Sequence, residues 1–210
     1  GLGDVYKRQH QAGHVAAAVY SSGHTELFER EFIAFHVSGG TTEALLVRPD
    51  EEKLLHIDIV GRTLDLNAGQ AVDRVGVAMG LSFPAGAELE KAALESRKTF
   101  KPKPCVKGTD CCLSGIENKC LDMIKSGESK CDVALFCLDS VAAALEKMTE
   151  NIIKKYGRLP LVFAGGVMSN SIIRRRFTEE FGAYFAEPAF SADNAAGTAY
   201  LTYLRERKNA

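Results

Sequence analysis

The sequence predicts an α/β protein built around one mixed β-sheet. Three apolar runs come first, within REFIAFHVSGG, TTEALLVRP and KLLHIDIVG, and further along the chain helical patterns alternate with short apolar runs. Consecutive strands joined by short turns are antiparallel, whereas strands separated by helices join a sheet through right-handed crossovers. We therefore expect three antiparallel strands, followed by two strands that enter the same sheet.

The first third of the chain is expected to hold one helix and the antiparallel strands. An alanine-rich helix is predicted from His10 to about Ser22, and Gly23 ends it. The first two strands meet at Gly39 and Gly40, in a β-hairpin or a strand–loop–strand. The third strand alternates between apolar and polar residues, as a half-buried strand does.

The middle of the chain is predicted to be helical. Apolar residues from Ala68 to Met79 recur at spacings of four, three and four, which is typical of an amphipathic helix. The stretch GLSFPAGAELEKAALE then predicts a loop and another helix. Residues 98–131 are rich in Cys and Lys and show no readable pattern.

The last part of the chain alternates between helices and strands. One apolar face from Leu138 to Tyr156 predicts a long helix that ends at Gly157. After it, LPLVFAGGV predicts a buried strand and SNSIIRRRF a helix capped by Ser169. AYFAEP is typical of a short strand, and SADNAAGTAYLTYL of a final helix.

The composition is that of an ordinary globular protein. The 210 residues are 46% hydrophobic and 25% charged, and their net charge of −1 provides no overall basic field for nucleic acid. We find no signal peptide and no apolar run long enough to span a membrane. The six cysteines form no C-x-x-C pair, and we interpret them as the reduced thiols of a cytoplasmic protein.

Two glycine pairs follow predicted strands, Gly39-Gly40 after Ser38 and Gly165-Gly166. Glycine turns let backbone amides approach an anion closely. Two such turns in one sheet indicate either a phosphate site divided between them or two tight turns with no ligand.

A pair of histidines, His10 and His14, opens the first predicted helix. Residues four apart share a helical face, so two imidazoles at this spacing can bind one metal ion. Gln11 stands where a metalloprotease has its general base, Glu, which argues against that class. Asp193 is a candidate third ligand if the fold brings it close; otherwise the pair is a chance spacing.

Two acidic residues, Asp73 and Glu90, lie next to glycine-containing turns. A carboxylate can accept hydrogen bonds from both hydroxyls of a ribose. Each of the two is therefore either a nucleoside ligand or a solvated helix residue.

Six motifs, in order from His10 to about Tyr200, resemble those of the TsaD family, the transferases of tRNA threonylcarbamoyl-adenosine synthesis. HQAGH matches the H-x-x-x-H pair of the family, and VSGGTTEALL its V-S-G-G-H-T loop. The stretch from GRTLDLNAGQAVDRV to GLSFPAGAELEKAA parallels its G-E-A-F-D-K helix and P-G-G-P loop. CLSGIENK is similar to F-S-G-L-K, FAGGVMSNSIIRRRF to A-G-G-V-A-A-N-x-x-L-R, and SADNAAGTAY to T-D-N-A-A-M-I-A-Y.

The resemblance implies the actin-like, sugar-kinase-like (RNase H-like) fold, which has two lobes with a cleft between them. Residues 10–30 would contain the last helix of a first lobe that is otherwise missing. Residues 31–210 would form the second lobe, with a helical insertion around 85–131. Residues 1–9, GLGDVYKRQ, lack an initiator Met and any periodicity, and we interpret them as a non-native leader.

The resemblance also implies a site. One divalent metal ion, iron or a zinc-like ion, would be bound by His10, His14 and Asp193. An acyl-adenylate would lie against the first glycine loop, with its nucleoside part held by residues beyond that loop. The loop residues are Val37, Ser38, Gly39, Gly40 and Thr41, and the nucleoside residues are Asp73, Gly86, Glu90 and Asn170.

The implied reaction is transfer of a threonylcarbamoyl group from threonylcarbamoyl-AMP to the N6 amino group of the adenosine next to a tRNA anticodon. We find no side-chain nucleophile, and the resemblance requires none. The implied partners are tRNA, held with the help of other proteins, and a TsaB-like paralogous subunit.

This sequence departs from the family pattern at a few positions. Thr41 replaces the His of the S-G-G-H-T loop, and Glu117 replaces the Lys of S-G-L-K. Leu66 and Asn67 replace residues of a D-D-A-A-G run. These changes leave open an alternative function, that of a non-catalytic paralogue that binds a nucleotide or serves as a partner subunit.

Overall fold

The computed structural model describes residues 2–190 and 195–209, with side chains from 11 to 190 and from 195 to 207. In this part of the chain, three strands follow the first helix, pairs of helices and a pair of strands come next, and single strands and helices alternate at the end, with short 3₁₀ turns at three places. The α-helices are α1 (Leu2–Ser21), α2 (Ala68–Ala78), α3 (Gly86–Ala93), α4 (Ser114–Lys125), α5 (Lys130–Tyr156), α6 (Ser171–Phe181) and α7 (Ala195–Asn209). The strands are β1 (Phe32–Val37), β2 (Thr42–Asp50), β3 (Leu54–Arg62), β4 (Cys105–Lys107), β5 (Asp110–Cys112), β6 (Leu161–Ala164) and β7 (Tyr184–Phe185).

The main sheet has five strands in the order β3-β2-β1-β6-β7. Strands β1, β2 and β3 pair antiparallel, whereas β6 pairs parallel with both β1 and β7. This topology confirms the mixed sheet that the sequence predicts. Because β1 and β6 are parallel neighbours, their carboxyl ends lie side by side at one edge of the sheet.

Helices cover both faces of this sheet. Side chains of β1 alternate between two apolar clusters, with Ile33 and Phe35 on one face and Phe32 and Ala34 on the other. The larger cluster packs the first face against α2, α4, α5 and α6, and the smaller one packs the second face against α1. A strand buried on both faces explains why FIAF is a continuous apolar run instead of an alternating one.

The long helix α5 has clear end signals. The Ser129 hydroxyl accepts a hydrogen bond from the Asp132 amide at its start, and Gly157 follows its last residue with φ +85°. The predicted end at Gly157 is confirmed, but the helix begins at Lys130, eight residues before Leu138. Among the described helices, none is long and apolar enough to cross a membrane.

Other predicted boundaries need correction. Helix α1 begins at Leu2, not at His10. The cap of α6 is Asn170 and not Ser169, because Asn170 Oδ1 accepts hydrogen bonds from the amides of Ile172 and Ile173. The unassigned stretch 98–131 contains the two-stranded β4–β5 hairpin and helix α4, neither of which the pattern indicated.

Candidate functional site

The two glycine turns lie next to each other at the carboxyl edge of the sheet. One follows β1 and the other follows β6, and these strands are hydrogen-bonded neighbours. Gly165 has φ +100°, and a Cβ on it would collide with the backbone of Val37. Only glycine therefore allows the second turn to pass so close to the first strand.

The first turn also contacts the start of helix α2. The Ser38 hydroxyl accepts hydrogen bonds from the amides of Gly40 and Thr41, at 3.3 and 3.1 Å. The Gly69 amide donates to the Ser38 carbonyl at 3.1 Å, and the Ala68 amide donates to the Thr42 hydroxyl at 2.9 Å. These bonds hold the turn against the amino end of α2, where the helix dipole favours an anion.

A cleft of about 380 Å³ opens beside the two turns. Five of the nine predicted substrate residues line it: Gly39, Asp73, Gly86, Glu90 and Asn170. The other four, which belong to the end of β1 and to the first turn, lie outside the described lining: Val37, Ser38, Gly40 and Thr41. The structure thus brings together the predicted nucleoside residues and one glycine from the predicted phosphate loop.

The polar groups of the cleft are fixed by neighbouring backbone amides. Asp73 Oδ1 accepts from the Ala85 amide at 2.8 Å, and Glu90 Oε1 accepts from the Ser171 amide at 2.8 Å. The side-chain oxygen of Asn170, Oδ1, accepts hydrogen bonds from the amides of Ile172 and Ile173 and so caps α6. The Asn170 NH₂ group is a donor, and the second carboxylate oxygens of Asp73 and Glu90 are acceptors, so the cleft offers both kinds of hydrogen bond to a ligand.

Sequence reasoning missed several lining residues. One follows the second glycine turn and two are apolar wall residues: Val167, Val72 and Leu138. Ser169, which was predicted as a helix cap, lines the cleft instead. Gly166 also lines the cleft, and the sequence had already singled it out in the second glycine pair. The apolar residues carried no signal that distinguishes a cleft wall from a core.

Asp65 is another organising residue that the sequence did not single out. Its carboxylate accepts hydrogen bonds from the Leu66 amide at 2.6 Å, the Leu113 amide at 2.7 Å and the Ser114 hydroxyl at 2.6 Å. Partial burial raises its pKa, but the bonds from Ser114, Leu113 and Leu66 outweigh this, and the pKa lies below its ordinary value. Asp65 thereby ties the loop before α2 to the start of α4.

The predicted metal ligands are described only in part. The His14 ring packs against the His36 ring with centroids 4.6 Å apart, while the His10 side chain and Asp193 lie outside the described residues. Beside them, Gln11 Nε2 donates to Glu43 Oε2 at 2.7 Å. Within the described side chains, no group of three or more His, Cys, Asp or Glu residues is placed to hold a metal ion. The metal centre therefore stays a prediction.

The departures from the family pattern have local structural roles. Glu117 on α4 pairs with Arg74 on α2 at 3.1 Å. Asn67 caps α2 in a capping box with Gln70, and Leu66 is buried in the core. The replaced charge is thus balanced within the chain, and the replaced acidic run serves packing and helix capping.

Comparison with known proteins agrees with the resemblance. A family model described as TsaD, tRNA N6-adenosine threonylcarbamoyltransferase, matches residues 5–200. The chain is 32% identical over 200 residues to the protein of that name from Sulfurihydrogenibium sp., covering 91% of this chain and 58% of the relative. It is 32% identical over 187 residues to the one from Lactiplantibacillus plantarum, covering 85% of this chain and 51% of that relative. The chain thus spans about half the length of these curated relatives.

Solved structures match the fold. Full-length HypF in its phosphate- and nucleotide-bound form superposes with a TM-score of 0.69 at 14% identity, covering 91% of this chain and 41% of HypF. Component A of the (R)-2-hydroxyglutaryl-CoA dehydratase of Acidaminococcus fermentans superposes with a TM-score of 0.59 at 16% identity. The match covers 92% of this chain and 66% of component A. Both have the actin-like ATPase fold, so the predicted fold class is confirmed; at these identities the likeness concerns the fold alone.

Proposed function

The chain belongs to the TsaD family of tRNA N6-adenosine threonylcarbamoyltransferases, and on that premise we propose that it takes part in threonylcarbamoyl transfer to tRNA. The donor is threonylcarbamoyl-AMP, and the acceptor is the N6 amino group of the adenosine next to the anticodon. One observation carries the proposal: Gly39, Asp73, Gly86, Glu90 and Asn170 surround a single cleft at the carboxyl edge of the sheet.

The chemistry of the cleft fits an adenylate. Carboxylates repel a phosphate but accept hydrogen bonds from sugar hydroxyls, so Asp73 and Glu90 suit the ribose. Neutral backbone amides suit the phosphate, and Gly39 and Gly166 line the cleft from two adjacent turns. The Asn170 NH₂ group supplies a donor to an acceptor atom of the nucleoside.

In the proposed reaction the adenine N6 attacks the carbamoyl carbon of the donor. The N–C bond forms, the bond from this carbon to the phosphate oxygen breaks, and AMP leaves while N6 loses a proton. Backbone amides of the turns hold the phosphate that carries the leaving charge. This route needs no side-chain nucleophile.

We propose that His10, His14 and Asp193 hold one divalent ion, iron or a zinc-like ion, which would polarise the acyl donor. Close packing of α7 against α1 supports this set. A Cβ on Gly197 would collide with the backbone of Gly13, so the two helices touch within one turn of His14.

The acceptor and the partners belong to the same proposal. Because the chain has a net charge of −1 and spans about half of its relatives, we propose that tRNA is positioned with help from other proteins, including a TsaB-like paralogue. The proposed location is the cytoplasm, where tRNA is modified.

A second candidate function rests on Glu117. In place of the family's Lys, this position carries a carboxylate that pairs with Arg74. Together with Thr41, it favours a paralogue that binds the nucleotide without transferring the acyl group.

A transfer assay separates the two candidates. The protein, loaded with iron or zinc and supplied with a TsaB-like partner, is given threonylcarbamoyl-AMP and tRNA, and the digested tRNA is searched for threonylcarbamoyl-adenosine. Product formation that is lost in His14→Ala supports the enzyme. AMP binding is measured on the same protein, and binding without product supports the paralogue. If the protein neither binds AMP nor forms the product, both candidates are refuted.

A further inference from the structure

The β4–β5 hairpin carries two cysteines directly opposite each other. Cys105 on β4 and Cys112 on β5 are register partners, and Gly108 and Thr109 form the turn between the strands. Cys105 is exposed, and Cys112 is half-buried.

The geometry of this pair suits a disulfide. Opposed residues of antiparallel strands have Cα atoms about 4.5–5.5 Å apart, whichever class of pair they form. A disulfide accepts Cα separations of about 4.4–6.8 Å. The side chains of Cys105 and Cys112 also lie on the same face of the hairpin, because directly opposed residues of paired strands share a face.

The other four cysteines lack this combination of a partner and access. Cys111 is buried, and burial raises its pKa to about 12. Cys120 on α4 and Cys137 on α5 are fully buried in the same hydrophobic core, so neither is accessible to a reagent in solution. Cys131 is half-buried, with its sulfur 3.2 Å from the Ser129 hydroxyl.

We propose that Cys105 and Cys112 form a reversible oxidation site whose co-reactant is a small-molecule disulfide. The Cys105 thiolate attacks one sulfur of the reagent, forming a mixed disulfide and releasing one thiol. The Cys112 thiolate then attacks the Cys105 sulfur and releases the second thiol. Two protein thiols are oxidised to a disulfide while the reagent disulfide is reduced to two thiols.

The order of attack follows from the surroundings. Burial, followed by the contact with Cys105, raises the pKa of Cys112. Asp65 faces Cys112 from the loop after β3 and raises its pKa too, while Lys107 on β4 lowers it. The exposed Cys105 therefore attacks first, and ring closure by Cys112 becomes faster as the pH rises and its thiolate forms.

The cross-link would stiffen a part of the fold that supports the cleft. The Leu64 amide donates to the Cys111 carbonyl at 2.8 Å, and Asp65 binds the Leu113 amide just beyond Cys112. This loop leads directly into α2, which carries Gly69 and Asp73 into the cleft. The oxidised chain is therefore expected to melt at a higher temperature than the reduced chain.

The test treats the folded 210-residue chain with oxidised glutathione at mildly alkaline pH, followed by intact mass measurement and non-reducing peptide mapping. The expected product has lost two hydrogen atoms, links the Cys105 and Cys112 peptides, and returns to the starting mass with a dithiol reductant. Cys112→Ser should stop at a glutathione adduct on Cys105, whereas Cys131→Ser, the control, should behave as the unchanged chain.

Two results would overturn the proposal. One is a stable glutathione adduct on Cys105 in the unchanged chain, because Cys112 would then not close the ring. The other is a disulfide that maps to Cys120 and Cys137 while the hairpin thiols stay free. Neither result bears on the proposed transfer function, which is assayed separately.

Discussion

At the scale of single residues, the polar side chains around the cleft also hold its walls together. Asn170 caps α6, Glu90 binds the amide at the start of that helix, and Asp73 binds the amide of Ala85. A substitution at any of them therefore changes stability as well as ligand contacts. A binding test at this site therefore needs a control variant that lowers the stability by a similar amount but lies away from the cleft.

Gly165 gives a stability prediction with a neighbouring control. Gly165→Ala forces a side chain into a left-handed conformation against the Val37 backbone, and we expect a loss of about 3 kcal/mol. Gly166→Ala meets nothing within 4 Å and should change stability by less than about 1 kcal/mol. Urea unfolding of both variants measures the difference; equal losses would show that the close approach of the turns is not what Gly165 provides.

Asp132 gives a pH prediction. Hydrogen bonds from Ser129 and Ser96 and the Lys98 ammonium lower its pKa from 3.8 to about 2. Because the pKa of Asp132 is lower in the folded chain than in the unfolded chain, its carboxylate stabilises the fold above pH 3.8. This stabilisation is lost as the pH falls from 3.8 towards 2.

The urea midpoint of Asp132→Asn should therefore fall less than that of the unchanged chain between neutral pH and about pH 2. Asp122→Asn, at an exposed position on α4, serves as the control and should follow the unchanged chain. An Asp132→Asn chain that is as acid-sensitive as the unchanged chain would contradict the pKa assignment.

At the scale of elements, one arginine ties α6 to α5. Arg176 forms a bidentate salt bridge with Glu146, in which its Nε and Nη2 donate to the two carboxylate oxygens at 2.7 and 2.6 Å. Its Nη1 donates to Asp139 Oδ1 at 2.9 Å. Burial raises the pKa of Asp139, and Arg176 opposes this rise. Both carboxylates are mostly shielded from water, so losing Arg176 would leave them without this compensating charge.

We expect Arg176→Met to cost about 2 kcal/mol of unfolding free energy. Arg175→Met removes the same charge from the same helix at an exposed position and should cost less than about 0.5 kcal/mol. Denaturant unfolding compares them. Similar losses in the two variants would mean that net charge, and not the link between α5 and α6, is responsible.

Elements with a long apolar face could be predicted from the sequence, and so could the short apolar strand β7, but the elements between residues 98 and 131 could not. Helix α5 was recognisable because its buried residues repeat over several turns. The three-residue strands β4 and β5 are too short for any periodicity, and α4 buries only Ile116 and Cys120. The cap of α6 was misplaced by one residue because Ser169 and Asn170 are both good capping residues.

At the scale of the whole molecule, the sheet brings distant segments to one edge. Glu90 binds Ser171, which is 81 residues further along the chain, and the turn after β6 touches the end of β1. The sequence predicted two glycine turns and two acidic residues, but their meeting depends on strand order. The resemblance to a family implied that these residues form one site, and the parallel pairing of β1 with β6 accounts physically for the meeting of the two turns.

The central claim is that this cleft binds an adenylate, and calorimetric titration of the 210-residue chain with AMP tests it most directly. We expect AMP to bind, and Asn170→Ala to lose about 1–3 kcal/mol of binding free energy. Ser129→Ala removes an equivalent helix cap from α5, away from the cleft, and should cost about 1 kcal/mol of stability but leave AMP affinity unchanged. Absence of AMP binding, or equal affinity in both variants and the unchanged chain, would contradict the account.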